Sequence, residues 1–274
     1  MVIKFRESDM MPCLCCLCLG NSTTKISCHK VLPQTTWAQD ITTGHMSGNK
    51  WYPRVCTVTQ PDYASCFKNK QIMIFGDSNG GQHYYRILES VTCKEILKAQ
   101  AKHWHKPLLC VDEENNFTLS WNPHTNPFIS GRLLASLDSL IPTSKALDKI
   151  PSHGQYLIIL THYYHLTTTH ISAFDFMLRN IKDALVRLFQ RNPNVQVVLQ
   201  GPHIAWYGWL EHYAAGDMLG TQFMDLQQEI FQDIKDKVVF VSPWDMTIAT
   251  ENYDYHPTVN KQIFETIVGF MCGR

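Results

Sequence analysis

No stretch of this chain approaches the roughly 18 consecutive apolar residues of a membrane-spanning helix, so no span is expected. Neither sign of charge prevails: Lys+Arg and Asp+Glu number 24 each among 274 residues, without a long basic run. Nucleic acid and anionic membrane surfaces, which recruit clustered positive charge, are therefore not expected partners. His/Cys sets at zinc spacing are lacking, and no metal is expected. There is no internal repeat and no clear second domain. A clear signal peptide is missing too: the apolar MMPCLCCLCLG, residues 10–20, is short and follows the charged KFRES. The expectation is a fragment, or a chain with an ill-defined start. Nothing indicates an oligomeric state.

What is present reads as an ordinary folded protein, 45% hydrophobic and 18% charged. Its length suffices for one large α/β domain whose core needs no disulfides to hold it. Yet there are ten cysteines. Cys13, Cys15, Cys16, Cys18 and Cys28 crowd the start; Cys56, Cys66, Cys93, Cys110 and Cys272 are spread through the body. With the sequons Asn21-Ser-Thr and Asn116-Phe-Thr as glycosylation candidates, they predict a secretory lumen or secreted protein with structural disulfides. Cys56 and Cys66 are the preferred pair, with the partners of Cys93, Cys110 and Cys272 open. Residues 1–50 lack periodicity and are expected to be an irregular, poorly ordered Cys-rich leader to a domain over 51–274. The CLCCLC run could hold a soft metal through thiolates, but a tail is the simpler reading.

From residue 70 a repeating grammar sets in. QIMIFG (71–76), QYLIIL (155–160), VQVVLQ (195–200) and KVVFVS (237–242) are short apolar runs of the kind buried in parallel sheets. Helical patterns over 82–97, 172–192, 221–234 and 258–271 follow them. In the second, Phe174, Met177, Leu178, Ile181, Leu185, Leu188 and Phe189 make a core-facing stripe, ended by Pro193. Alternating strands and helices predict a parallel sheet covered on both faces. LLCVD and FTLSW, within 104–130, predict edge strands or an irregular excursion.

The first strand ends in Gly76-Asp77-Ser78. Ligands of open parallel sheets collect at the carboxyl ends of strands, and Ser78 sits there, at a helix start. Its own N–H could stabilise an oxyanion, while Gly76, Gly80 and Gly81 permit a sharp turn and close approach. A serine hydroxyl needs a base. His256 is the best one, in a polar loop after the fourth strand, with Asp245 or Asp254 to orient it. The simpler reading makes Ser78 or Asn79 a helix cap and His256 a loop histidine. Gly76 to Gly80 also fits the Gly-x-Ser-x-Gly nucleophile elbow. That fold needs several strands before the elbow, and the preceding 70-odd residues are poor in strand signals.

Gly76-Asp77-Ser78 after an apolar strand, with a late His-Pro before the last helix, resembles the SGNH/GDSL hydrolase superfamily. Within its PC-esterase branch the chain is similar to the C-terminal domain of the neurexophilin and PC-esterase domain (NXPE) family, over roughly residues 50–273. The resemblance rests on WYPRVC…CFKNKQIMIFGDS, on Trp121, His124, Pro127 and Phe128 in LSWNPHTNPF, on His162 in LTHYYHL, on SPWDMTIATENYDYHP, and on Cys272. The departures are Asn79 and Gly81 in place of a threonine and an arginine, Leu160-Thr161 in place of Gly-Gln, and Tyr253 where the superfamily's Asp-x-x-His has its acid.

The resemblance implies a three-layer α/β/α, SGNH-hydrolase-like (flavodoxin-like) fold with a central, mainly parallel sheet. It implies an acyl-ester enzyme, an O-acetyltransferase or esterase on glycans or other acylated carbohydrate, working through Ser78, His256 and an aspartate. The oxyanion and substrate pocket is expected from Gly76, Asp77, Asn79, Gly80, His162, Trp121 and His124, with packing under an edge strand an equal reading of Trp121 and His124. No cofactor is expected beyond an acyl donor, such as acetyl-CoA or an acetylated intermediate, if the reaction is transfer. Trp206, Tyr207 and Trp209 could stack on a sugar or equally be buried aromatics of an insertion; His103, His105, His165 and His170 read as loop or surface residues. The rival class is a catalytically degenerate glycan- or protein-binding glycoprotein of the same fold. A Ser–His separation of about 3–4 Å fits the enzyme, and one beyond about 7 Å the rival. The enzyme reading also expects activity to fall as pH drops through roughly 6–7.

Overall fold

The computed structural model describes residues 25–59, 61–98, 106–124, 141–204, 217–252, 254 and 256–272. The expected strands run from the centre of a seven-stranded sheet to one of its edges: β3 (Lys70–Gly76), β7 (Gln155–Thr161), β8 (Val195–Gln200) and β9 (Val238–Val241). They pair in parallel in that order, and β6 (Phe117–Pro123) pairs in parallel on the other side of β3. Beyond β6 the sheet turns antiparallel through β5 (Leu108–Asp112) and β4 (Lys94–Leu97). LLCVD and FTLSW are thus regular strands.

Parallel strands need crossovers, and these lie on both faces. One face is covered by α3 (Thr143–Asp148), α4 (Ile171–Arg191) and α5 (Asp217–Phe231), packing Leu147, Phe174, Leu178, Phe223 and Phe231 onto Phe75, Ile158 and Leu199. The opposite face carries α2 (Ser78–Leu88) and α7 (Asn260–Met271), where Tyr84, Ile87, Ile263, Phe264 and Ile267 cover Ile72, Ile74 and Leu119. The expected three-layer α/β/α arrangement is present. The helix expected over 82–97 stops at Leu88, however, and Lys94–Leu97 is strand. Cys93 is bonded to Cys110 of β5, which draws the chain into the sheet and ends the helical pattern.

Residues 25–50 are not an irregular leader. A 3₁₀ turn, Pro33–Trp37, caps the outer edge of β9: Trp37 Nε1 donates to the Val238 carbonyl (2.7 Å), and the Phe240 N–H donates to Thr36 Oγ1 (2.8 Å). Trp37 stacks on Phe240 at 4.7 Å. An open strand edge is thereby closed with side-chain partners. The hairpin β1 (Gly44–Ser47) and β2 (Lys50–Pro53) turns through Gly48 and Asn49, both at positive φ, as a two-residue hairpin loop requires. It docks on α7, where Gln262 Oε1 accepts from the Trp51 N–H. This strap is held by short turns and polar contacts to backbone, so it carries no periodic signal.

The cysteine pairing also differs from expectation. Cys56 bonds to Cys28, not Cys66, because a bridge between Ser27 and Thr57 brings their Cα atoms to 4.8 Å. Cys66, on α1 (Tyr63–Phe67), bonds instead to Cys272 just past α7. Cys13, Cys15, Cys16, Cys18 and Asn21 lie outside the described residues, as do His103, His105, Pro127, Phe128, Trp206, Tyr207 and Trp209. Among the described residues, no helix is long and apolar enough to cross a membrane. Non-reducing peptide mapping is expected to recover Cys28–Cys56, Cys66–Cys272 and Cys93–Cys110. Replacing Cys66 and Cys272 together by Ser should lower unfolding stability by about 2–4 kcal/mol in denaturant titration.

Candidate active site

Gly76 fixes the turn that presents Ser78. Its φ is +137°, and a Cβ there would drive into Thr161 on the neighbouring strand, so only glycine fits. The Gly76 carbonyl accepts from the His124 N–H (3.0 Å), and the Asp77 N–H donates to the Thr161 carbonyl (3.3 Å). The carboxyl ends of β3, β6 and β7 are thereby tied together. At Gly80, a Cβ would collide with Thr161 Oγ1 and Ile74. Gly80 lets α2 lie close on the sheet.

Asp77 is the N-cap of α2. Its carboxylate accepts from the Asn79 N–H (2.9 Å) and, across the strand ends, from the Tyr164 N–H (2.9 Å). The side chain is 1% exposed. Burial pushes its pKa up to about 6, outweighing the N–H donors that favour the charged form. Asp77 builds the turn and does not face a substrate pocket. Asn79 is also turned inward, so neither side chain lines a pocket as expected.

Ser78 is the first residue of α2 and half-buried. The Asn79 and Gly80 N–H groups are spent on Asp77, and that of Ser78 takes no part in those bonds. Its Oγ lies 2.8 Å from His256 Nε2, across 178 residues of chain. Asn252 stabilises the loop that delivers His256. Its Nδ2 donates to the carbonyls of Ile204 (2.6 Å) and Asp254 (2.7 Å), and its Oδ1 accepts from the Thr258 N–H (3.1 Å). Asn252 was missed in the sequence; a buried Asn between a helix end and a His-Pro turn is the signal that could have found it.

The two candidate acids are separated by the structure. Asp245, on α6 (Trp244–Ala249), accepts from both the Thr43 N–H (2.7 Å) and Oγ1 (2.9 Å), anchoring the strap. Asp254 accepts from the His256 N–H (3.2 Å). Burial lowers the His256 pKa, and the Asp254 charge opposes that shift. Among the described residues the Asp254 charge bears on this imidazole, while Asp245 is engaged by Thr43.

His162 ends up just past β7, fully buried, with Nε2 on Thr143 Oγ1 (2.9 Å). Burial and the neighbouring His124 hold its pKa down at about 3, so it is a neutral ring. His124 packs beside it and, at 5.0 Å, against His165, which is buried and not a surface residue. His170 caps α4, its Nδ1 accepting from the Ser172 N–H. Trp121, expected in the pocket, is 3% exposed and lies under α2, where a Cβ on Gly81 would come within 3.2 Å of its ring. An arginine at position 81 would need that ring to move. Among the described residues, no group of three or more His, Cys, Asp or Glu could hold a metal ion.

The arrangement can lower the cost of removing the Ser78 proton and can hold negative charge at the α2 terminus. Residues 51–272 match the family model described as NXPE family member 4-like, C-terminal domain. Among solved structures, an extracellular lipase from Streptomyces rimosus is 12% identical, with 73% of this chain and 97% of that chain covered and a TM-score of 0.36. That score is too low to draw on.

The raised Asp77 pKa has a defined thermodynamic sign. Folding favours the protonated acid, so its stabilising contribution is full below about pH 4 and is lost as pH rises to about 6. Over that window, wild type should lose about 3 kcal/mol relative to Asp77→Asn, measured by denaturant unfolding at stepped pH.

Proposed function

The chain belongs to the NXPE family, through its C-terminal domain, and from that premise we propose that it is a serine acyl-ester enzyme of the secretory pathway acting on glycans. The observation that carries this reading is the 2.8 Å contact between Ser78 Oγ and His256 Nε2. A helix cap and an unrelated loop histidine have no reason to meet at hydrogen-bond distance.

In the proposed reaction Ser78 Oγ attacks the acyl carbonyl carbon while its proton passes to His256 Nε2. The oxyanion is held by the Ser78 N–H at the α2 amino end. Collapse expels the donor's alcohol or thiol, which takes the proton from His256, and leaves an acyl-Ser78 ester. Water, or preferentially a sugar hydroxyl, then attacks that ester, giving its proton to His256, and collapse breaks the Ser78 Oγ–acyl bond as Oγ takes that proton back. Asp254 stabilises the imidazolium by its charge. Transfer requires a donor such as acetyl-CoA or an acetylated intermediate. The three disulfides among the described residues support an oxidising compartment. So does Asn116, exposed at positive φ on the β5–β6 turn, where a glycan can be attached.

Fluorophosphonate labelling should be complete in wild type, absent in Ser78→Ala, and slowed about 100-fold or more in His256→Ala. The rate should fall as pH drops and His256 gains its proton, with a midpoint below the ordinary imidazole value of about 6.5 because burial lowers this pKa. Asp254→Asn should move the midpoint lower still. A well-folded wild type that takes no label would instead favour the non-catalytic binding reading. Mass spectrometry of O-acetylated glycans, with wild type against Ser78→Ala, tests the substrate. Glycosidase treatment of secreted protein should shift its mass by one glycan fewer in Asn116→Gln.

A further inference from the structure

A cavity that neither Ser78 nor His256 lines lies where the strap meets the end of β9, α6 and α7. Its volume is about 40 Å³. About 10–15 Å³ suffices for one water, so it holds roughly three waters or an organic ion of about four heavy atoms. Trp51 of β2, Val241 of β9, Met246 of α6 and Phe270 of α7 give it apolar walls. The threonine hydroxyls around it are committed elsewhere. Thr36 Oγ1 donates to the Pro33 carbonyl (2.6 Å), Thr43 Oγ1 to Asp245 Oδ2 (2.9 Å) and Thr266 Oγ1 to the Gln262 carbonyl (2.8 Å). Among the described residues that line the cavity, Arg54 alone is charged. Its backbone N–H donates to the Thr43 carbonyl (2.8 Å), which fixes the residue just past the hairpin. The side chain is half-buried, and its Nε is buried without a hydrogen-bond partner. No ion pair among the described residues includes it, and Asp245, the acid that Thr43 engages, is not its partner. A guanidinium partly withdrawn from water beside apolar walls attracts an anion more strongly than an exposed one, and its unmet donors carry a cost.

We propose that this cavity binds a short-chain carboxylate of about the size of acetate, its oxygens on the Arg54 guanidinium and its carbon end against the apolar walls. The planar guanidinium fork matches the two oxygens of a carboxylate, which a spherical halide cannot do. The walls suit a methyl or ethyl group, whereas an inorganic ion would have to shed its water against them. Bound there, the carboxylate ties the strap to β9, α6 and α7, in addition to the bond between Thr43 and Asp245. The binding does not depend on the activity proposed above.

The test is sodium acetate titrated into the full chain, followed by calorimetry and thermal unfolding, with sodium chloride at equal ionic strength as the comparison. Wild type should bind one acetate with a Kd of about 1–10 mM and gain melting temperature as the site fills. Arg54→Gln should weaken acetate binding at least about tenfold, and so should Arg54→Lys, which keeps the charge but not the fork. A crystal structure grown with acetate should show a planar ligand bidentate on Arg54. Waters alone in the cavity would overturn the proposal, as would a chloride response equal to that of acetate. Undiminished binding by either variant would overturn it too. So would density without a saturable response in solution, which is binding at crystal concentration only. If Arg54→Gln fails to fold, Arg54→Lys and the wild-type density still decide.

Discussion

The buried carboxylate of Asp77 is the interaction on which the site's geometry depends. It reaches the first turn of α2 and the loop after β7 at once, through the N–H groups of Asn79 and Tyr164. One acid thus fixes where the helix starts and where the adjoining strand's exit loop runs. Placing a charged group at 1% exposure is unfavourable, as its raised pKa records. The protein accepts that cost at the point where Ser78 must be aimed. Gly76 completes the arrangement by allowing a turn no other residue could make.

Around that clamp, each half of the pair is positioned by different means. Ser78 is set by regular structure, a strand end followed by a helix start. His256 comes from a loop, and Asn252 replaces regular structure there with three side-chain hydrogen bonds. The neutral rings of His162 and His83 add rigidity without charge, since burial keeps both well below their ordinary pKa. Among the described residues, Asp77 and Asp254 bring charge to the site, as does His256 when it takes a proton.

The central sheet was legible because β3, β7, β8 and β9 are continuous apolar runs, buried on both faces. Ser78 and His256 were legible because each falls at a strand-to-helix junction. The choice between Asp245 and Asp254 was not. It turns on Thr43, whose strap has no hydrophobic period, so the partner that engages Asp245 cannot be seen in a local pattern. Cys28–Cys56 was hidden for the same reason, since a single bridge between Ser27 and Thr57 sets that pairing. The short strand at Lys94–Leu97 was masked by a helical pattern that Cys93–Cys110 overrides. The orientation of Trp121 and Asn79 stayed open because a motif tells which residues recur together but not which way a side chain turns.

The Cys66–Cys272 bond lies outside both halves of the pair, with Ser78 and His256 each falling between its two cysteines. The stretch between them is thus a closed covalent ring. A single proteolytic nick anywhere in that ring opens it into one molecule, not two. Nucleophile and base stay joined through sulfur, and a cleaved chain can keep the pair in place where a linear one would shed half of it.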